Sequence, residues 1–226
     1  MSSLKKDLSY RRNGFFLAAA CGLIGVTYGV FADTSGLSLL QASTLSLLTF
    51  TGASQFAVVS VIDGGGNPAA AVGSALLLSV RNAFYGPVVA SSVDRGLIRK
   101  AIAAHFVIDE TVAMSSIQKN RSDSKKAFWF TGVWLFIFWN AGTVAGVLLG
   151  GFLEDPGAWG LDAAFPAAFV VLILPHVGNR PGQVTALIGG TISLICIPLT
   201  PVGLPILLAA LAIGPGLLVS SGKESR

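Results

Sequence analysis

The sequence predicts an all-α polytopic membrane protein, and three observations carry that prediction. Of 226 residues, 53% are hydrophobic and only 12% are charged, with a mean hydropathy of +0.72, too apolar for a water-soluble domain of this length. Several intervals between charges reach the roughly 20 residues a helix needs to cross a bilayer. The 15 Lys and Arg residues fall in short clusters between apolar runs, a pattern that sets membrane orientation and does not point to nucleic acid.

Taken in order, residues 1–13, with Lys5, Lys6, Arg11 and Arg12, form a cytoplasmic N-terminal segment. The apolar run 14–32 is the first span; no small-x-small cleavage site follows it, so it reads as a retained helix and not a signal peptide. Residues 69–93, around Arg81, give another span. Four more follow at 127–153, 163–175 (extended to 177 to reach a workable length), 183–199 and 203–220, before a cytoplasmic tail at 221–226. Residues 14–220 thus make one transmembrane domain.

Two segments are interrupted. Residues 37–62 carry Thr49, Thr51, Gly52, Ser54 and Gln55 at their middle, and residues 97–117 carry His105, Asp109 and Glu110. Each reads as a full helix or as a re-entrant pair of half-helices. Loop charge favours re-entry. With six spans plus two broken segments, the clusters from Lys5, Arg95, Lys119, Arg180 and Lys223 onward all lie on the cytoplasmic side, while Asp33, Asp63, Glu154, Asp155 and Asp162 lie outside. With eight spans, the loop of Arg95, Arg99 and Lys100 faces outward and the loop of Asp63 inward, against the positive-inside rule. Phe50, Ala57 and Ser60 echo Phe106, Ala113 and Ser116, and Asn82-Ala83 echoes Asn140-Ala141. Matches so few fit an inverted repeat and fit chance equally well.

Small residues let helices approach closely in lipid, and Gly25, Gly29, Gly142, Gly146 and Gly150 are read as packing faces. Pro87, Pro166, Pro175, Pro198, Pro205 and Pro215 mark places where helices kink. Cys21 and Cys196 sit in apolar runs and offer no metal or disulfide spacing. No motif calls for a cofactor or a metal.

The chemistry concentrates in two places. Arg81 lies mid-span, where an unpaired Arg costs roughly 2.5–3.5 kcal/mol on insertion scales, so it needs a partner, and Asp109 and Glu110 are the acids available. A structural ion pair and a substrate or proton site are equally open readings. Tyr85 shares a helical face with Arg81, and Asn82 adjoins it. The second place is Thr51-Gly52-Ala53-Ser54-Gln55. There Gly52 can break the helix and Ser54 can cap a following half-helix, whose free amides would receive a carboxylate; a Gly-Ser kink in an ordinary helix is the plainer alternative. His105, four residues before Asp109, forms a proton relay if the helix is continuous, and otherwise makes an ordinary hydrogen bond. His176 is a surface residue.

These motifs resemble the AzlC family, the large subunit of bacterial branched-chain amino acid exporters. The likeness runs from about residue 14 to 219. It rests on Phe50-Thr51-Gly52-Ala53-Ser54-Gln55-Phe56, Arg81-Asn82-Ala83-Phe84-Tyr85-Gly86, Asp109-Glu110-Thr111-Val112-Ala113 and Leu161-Asp162-Ala163-Ala164-Phe165-Pro166 leading to Leu174-Pro175. Asn82-Ala83-Phe84 departs from an Arg-His-Leu type sequence found at this point in family members. The resemblance implies a transport domain in the bacterial plasma membrane, exporting leucine, isoleucine, valine or methionine with a small AzlD-like membrane subunit. With no nucleotide motif in the chain, coupling to protons is expected. The substrate-binding set is then Thr51, Gly52, Ala53, Ser54, Gln55, Arg81, Asn82, Tyr85, Asp109 and Glu110. The competing class is an intramembrane serine hydrolase, since Gly52-Ala53-Ser54 resembles a rhomboid nucleophile motif and His105 would complete a dyad; Gln55 stands where that motif has glycine.

Overall fold

A computed structural model describes residues 2–90, 93, 96–152, 167, 170, 173–174 and 176–224. Every element among them is helical, with no strand. Most of the expected span at 163–175, the motif at 161–166 and the loop residues Arg95, Glu154, Asp155 and Asp162 lie outside the described residues.

Among the described residues two helices are long and apolar enough to cross a membrane: α1 (Ser2–Thr34), through its Tyr10–Thr34 stretch, and α8 (Arg121–Gly150). Between them lie α2 (Leu39–Leu48), α3 (Ala53–Asp63), α4 (Pro68–Phe84), the short α5 (Gly86–Val89), α6 (Leu97–His105) and α7 (Asp109–Ser116). After α8 come α9 (Arg180–Cys196), α10 (Leu204–Ala209), a 3-10 turn and α11 (Ile213–Glu224). Local capping explains several starts. Asn67 accepts the Ala70 amide ahead of Pro68, Asn120 accepts the Asp123 amide, and Asn179 accepts the Gly182 amide ahead of Pro181, the arrangement that satisfies orphan amides at a helix N-terminus.

The centre of the molecule is the α1–α8 pair, which runs parallel. A methyl group added at Gly22 would meet Phe138, one at Gly25 would meet the Trp139 carbonyl, and one at Gly29, Gly142 or Gly146 would fall on the backbone of the opposing helix. Gly150 lies against the Asp33 carboxylate. Backbones this close gain dispersion and leave no room for a Cβ, so the glycine spacing does pack helices, as read from the sequence.

Both interrupted segments are broken helices, and each folds as a hairpin. The first leaves the Thr34 end of α1, descends along α2, turns at residues 49–52 and returns along α3. Ser46 Oγ meets Thr143 Oγ1 at 3.2 Å on the way down, and Ser35 Oγ donates to Asp63 Oδ1 at 3.2 Å where the return ends. From there α4 and α5 carry the chain to the opposite end, where Val88 shares a surface cleft with Lys119, Arg121 and Ser124. The kink between α4 and α5 falls at Tyr85, just before Gly86 and Pro87. The second hairpin uses that opposite end: Ala103 of α6 packs with Val89, Val112 and Phe128, and beyond α7 Gln118 lines a cleft with Tyr10 and Asn13. The hairpin tips meet at mid-height, with the Phe50 ring 6.0 Å edge-on from Phe106 and 5.1 Å from Phe136.

The two hairpins correspond at a fixed spacing. Ala53 begins α3 as Asp109 begins α7, and Phe50 precedes the first start as Phe106 precedes the second. At the same spacing Gln55 and Thr111 each stitch a break. Gln55 Nε2 donates to the Leu45 carbonyl at 3.3 Å; Thr111 Oγ1 donates to the Phe106 carbonyl at 2.7 Å and accepts from the Ile108 amide at 3.2 Å.

Outward faces carry large uncovered apolar side chains. Phe16, Leu23, Leu76 and Phe84 are 63–75% exposed, as faces that lipid covers would be.

Candidate functional site

The hairpin tips, α4 and the α1–α8 pair enclose a cavity of about 80 Å³. Its polar side comes from the tips and α4: Thr51, Gly52 and Ala53, Arg81, and Asp109 with Glu110. Its apolar side includes Cys21 and Ile24 from α1 and Leu135 and Trp139 from α8, completed by Phe50, Phe56 and Ile108.

Gly52 fixes the first tip. Its φ of +60° with ψ of −80° is a conformation L side chains rarely adopt, and the Trp139 ring lies against it, 3.4 Å from the place a Cβ would take. The Gly52 carbonyl already accepts the Gln55 and Phe56 amides, at 3.0 and 3.1 Å. The amides of Ala53 and Ser54 open the helix and have no carbonyl of their own helix to donate to. No side chain among the described residues caps this terminus, and its first turn holds no acid.

The second tip is built in the opposite sense electrostatically. Asp109 and Glu110 occupy the first turn of α7, where carboxylates complement the positive end of the helix. Arg81 Nη2 pairs with Asp109 Oδ2 at 3.1 Å, and the Tyr85 hydroxyl donates to Asp109 Oδ1 at 2.5 Å. Of the two acids considered, Asp109 is therefore the partner of Arg81. Glu110 stands apart from the pair, with the Cys21 thiol directed to its Oε1 at 4.0 Å.

Several expectations are corrected. Ser54 does not cap α3: the N-cap is Gly52, and Ser54, in the second helical position, meets Ser79 Oγ at 2.9 Å. Gln55 points away from the cavity to the Leu45 carbonyl. His105 and Asp109 do not share a helix, because α6 ends at His105 and the chain unwinds over residues 106–108, so the relay geometry is lost. The His105 ring sits among Phe50, Phe106 and Phe136. Ser54 Oγ pairs with Ser79 Oγ, and no hydrogen bond joins Ser54 to His105 among the described residues. Asn82 and Tyr85 are not among the residues lining the cavity, and Tyr85 reaches it only by donating to Asp109. Of the ten residues expected to bind substrate, six line it: Thr51, Gly52, Ala53, Arg81, Asp109 and Glu110. The sequence reading missed the apolar side entirely, since Ile24, Leu135 and Trp139 look like ordinary span residues.

Several buried polar atoms have no hydrogen-bond partner among the described residues: Thr51 Oγ1, Gln55 Oε1, Arg81 Nε, Asn82 Oδ1, Thr131 Oγ1, Trp139 Nε1 and Asn140 Oδ1. A buried polar atom of this kind costs about 1–3 kcal/mol unless water, an ion or a ligand satisfies it.

A family model described as AzlC protein matches residues 17–153, which hold every residue lining the cavity. An uncharacterized membrane protein of Archaeoglobus fulgidus is 31% identical over 222 residues, covering 95% of this chain and 96% of that one. The branched-chain amino acid transport protein AzlC of Bacillus subtilis is 26% identical over 171 residues, 74% of this chain and 66% of its own length. Inner membrane protein YgaZ of Escherichia coli is 27% identical over 193 residues, 80% and 78% of the two chains. No solved structure matches.

Proposed function

The chain belongs to the AzlC family of membrane transport proteins, and on that premise we propose that it is the large subunit of a secondary transporter exporting leucine, isoleucine, valine and methionine from the bacterial cytoplasm. The observation that carries this reading is the half-polar cavity where the two hairpin tips meet. Broken helices meeting mid-membrane are how secondary transporters hold small zwitterions.

The substrate carboxylate sits at the start of α3, where the Ala53 and Ser54 amides and the positive helix end are uncapped and free of any internal acid. Its ammonium group lies toward Glu110, the acid not paired with Arg81. Thr51 Oγ1, unpartnered at the cavity wall, is a further polar contact. Arg81, Asp109 and Tyr85 hold the second tip to α4. Alternating access moves the two hairpins against the glycine-locked α1–α8 pair, coupled to protons through the carboxylates. The polar residues face a cavity inside an apolar bundle, the place where ionisable groups serve transport.

The domain comprises residues 14–220, with six spans and two re-entrant hairpins. The N-terminus is cytoplasmic, so the first hairpin enters from outside and the second from inside. Ser35 beside Asp63, and Gln118 beside Tyr10, support that topology. A small AzlD-like subunit completes the exporter.

Efflux of preloaded labelled leucine and methionine tests the reading, from cells expressing the chain with and without a small subunit. Partner-dependent efflux that falls at least tenfold in Arg81→Ala at equal expression is the expected result. No efflux under any pairing would overturn it. Asp109→Asn and Glu110→Gln test the coupling: unchanged export and unchanged pH response in both would remove the carboxylates from the mechanism.

A further inference from the structure

The charged and hydroxyl groups of the cavity all come from one part of the bundle. They belong to the hairpin tips and α4, whereas α1 and α8 contribute Cys21, Ile24, Leu135 and Trp139. These two helices are locked to each other by glycines that touch the opposing backbone at Gly22, Gly25, Gly29, Gly142 and Gly146. Leu135 and Trp139 are buried, at 3% and 5% exposure, and Trp139 stacks on Tyr28 with ring centroids 6.2 Å apart. A wall fixed in this way does not yield to a larger ligand, because packed interiors resist added volume at about 1–3 kcal/mol.

We infer that Ile24, Leu135 and Trp139 form a rigid side-chain subsite that sets the upper size limit of the exported amino acid. The inference rests on the transport reading above and adds the residues that decide selectivity. The head group is held at the tips, so the aliphatic side chain is directed at the α1–α8 wall. The cavity of about 80 Å³ holds roughly five to eight water-sized groups, close to the non-hydrogen atom count of valine or leucine and well below that of phenylalanine. Trp139 closes the floor beneath Gly52, with its ring 3.4 Å from the Cβ position of that residue. Leu135 and Ile24 are the removable part. One methylene in an apolar pocket discriminates by about tenfold or more, so shortening either side chain is enough to change the substrate profile.

The experiment compares efflux of labelled leucine and phenylalanine from cells expressing the chain with its small subunit. Leu135→Ala and Ile24→Ala are the test variants, and Leu148→Ala, on the exposed face of α8 at 53% exposure, is the control. Both test variants are expected to raise the phenylalanine-to-leucine ratio at least tenfold, with the control unchanged. Ile24 is 37% exposed, so its truncation keeps the test decisive if Leu135→Ala fails to accumulate. Wild-type leucine efflux with an unmoved ratio in the accumulating variants overturns the subsite and leaves the exporter standing. A wild-type chain that moves no amino acid overturns the transport reading and the subsite with it.

Discussion

Gly52 carries the geometry of the first tip, and its replacement separates backbone strain from steric clash. A Cβ there would stand 3.4 Å from the Trp139 ring, an ordinary contact, whereas φ of +60° is costly for any L residue. Gly52→Ala is expected to lose about 1–3 kcal/mol of stability, read as a lower unfolding temperature in detergent. Gly86→Ala, where nothing lies within 4 Å and φ is not positive, should stay within about 0.5 kcal/mol of wild type. Legibility at this scale followed charge. Arg81 had to find an acid, and a pairing with Asp109 or Glu110 was foreseeable from the cost of a lone cation in a span. The directions of Ser54 and Gln55 were not: both sit beside a helix break whose φ and ψ set which way side chains point, and no spacing rule holds across a break. Trp139 was invisible because an aromatic residue in an apolar span is expected whatever it touches.

Among the elements, α1 and α8 show how small residues substitute for a hydrophobic driving force in lipid. A Cβ at Gly146 would fall on the Val26 carbonyl and one at Gly190, on α9, would meet nothing. Gly146→Ala should therefore cost about 1–3 kcal/mol through forced separation of the pair, seen as reduced thermal stability and poorer recovery of monodisperse protein. Gly190→Ala should be neutral or stabilising by up to about 1 kcal/mol, the helix-propensity difference between the two residues. The broken segments were legible as interruptions, since polar residues clustered within apolar runs. Their helix ends were less so: α1 extends back to Ser2, α8 to Arg121, and the span around Arg81 ends its first helix at Phe84. Basic and polar residues continue a helix past the apolar boundary, because water and headgroups accept them as readily as a loop does.

For the whole molecule, the hairpins predict an accessibility pattern. Single cysteines in a chain carrying Cys21→Ser and Cys196→Ser, labelled by a membrane-impermeant thiol reagent in intact cells, should react at positions 35 and 65 and remain protected at 96 and 118 until the membrane is opened. An eight-span chain would invert position 65, so protection there would overturn the re-entrant arrangement of the first hairpin. The weak sequence echo between the two halves gains structural meaning from the matched starts of α3 and α7 and from Gln55 and Thr111 stitching equivalent breaks.

By itself the sequence determined that the chain is helical and membrane-embedded, that two segments are interrupted, that glycines pack helices and that Arg81 meets an acid. Each of these follows from local or compositional physics: apolar run length, the cost of a buried charge, the absence of a Cβ. Only the tertiary structure decided that each broken segment turns back on itself, that Asp109 and not Glu110 takes Arg81, that Ser54 faces Ser79, and that α1 and α8 supply an apolar wall to the cavity. Those facts depend on which surfaces approach one another across 24 to more than 100 residues of chain, and such contacts are settled by packing of the whole bundle, which no single segment encodes.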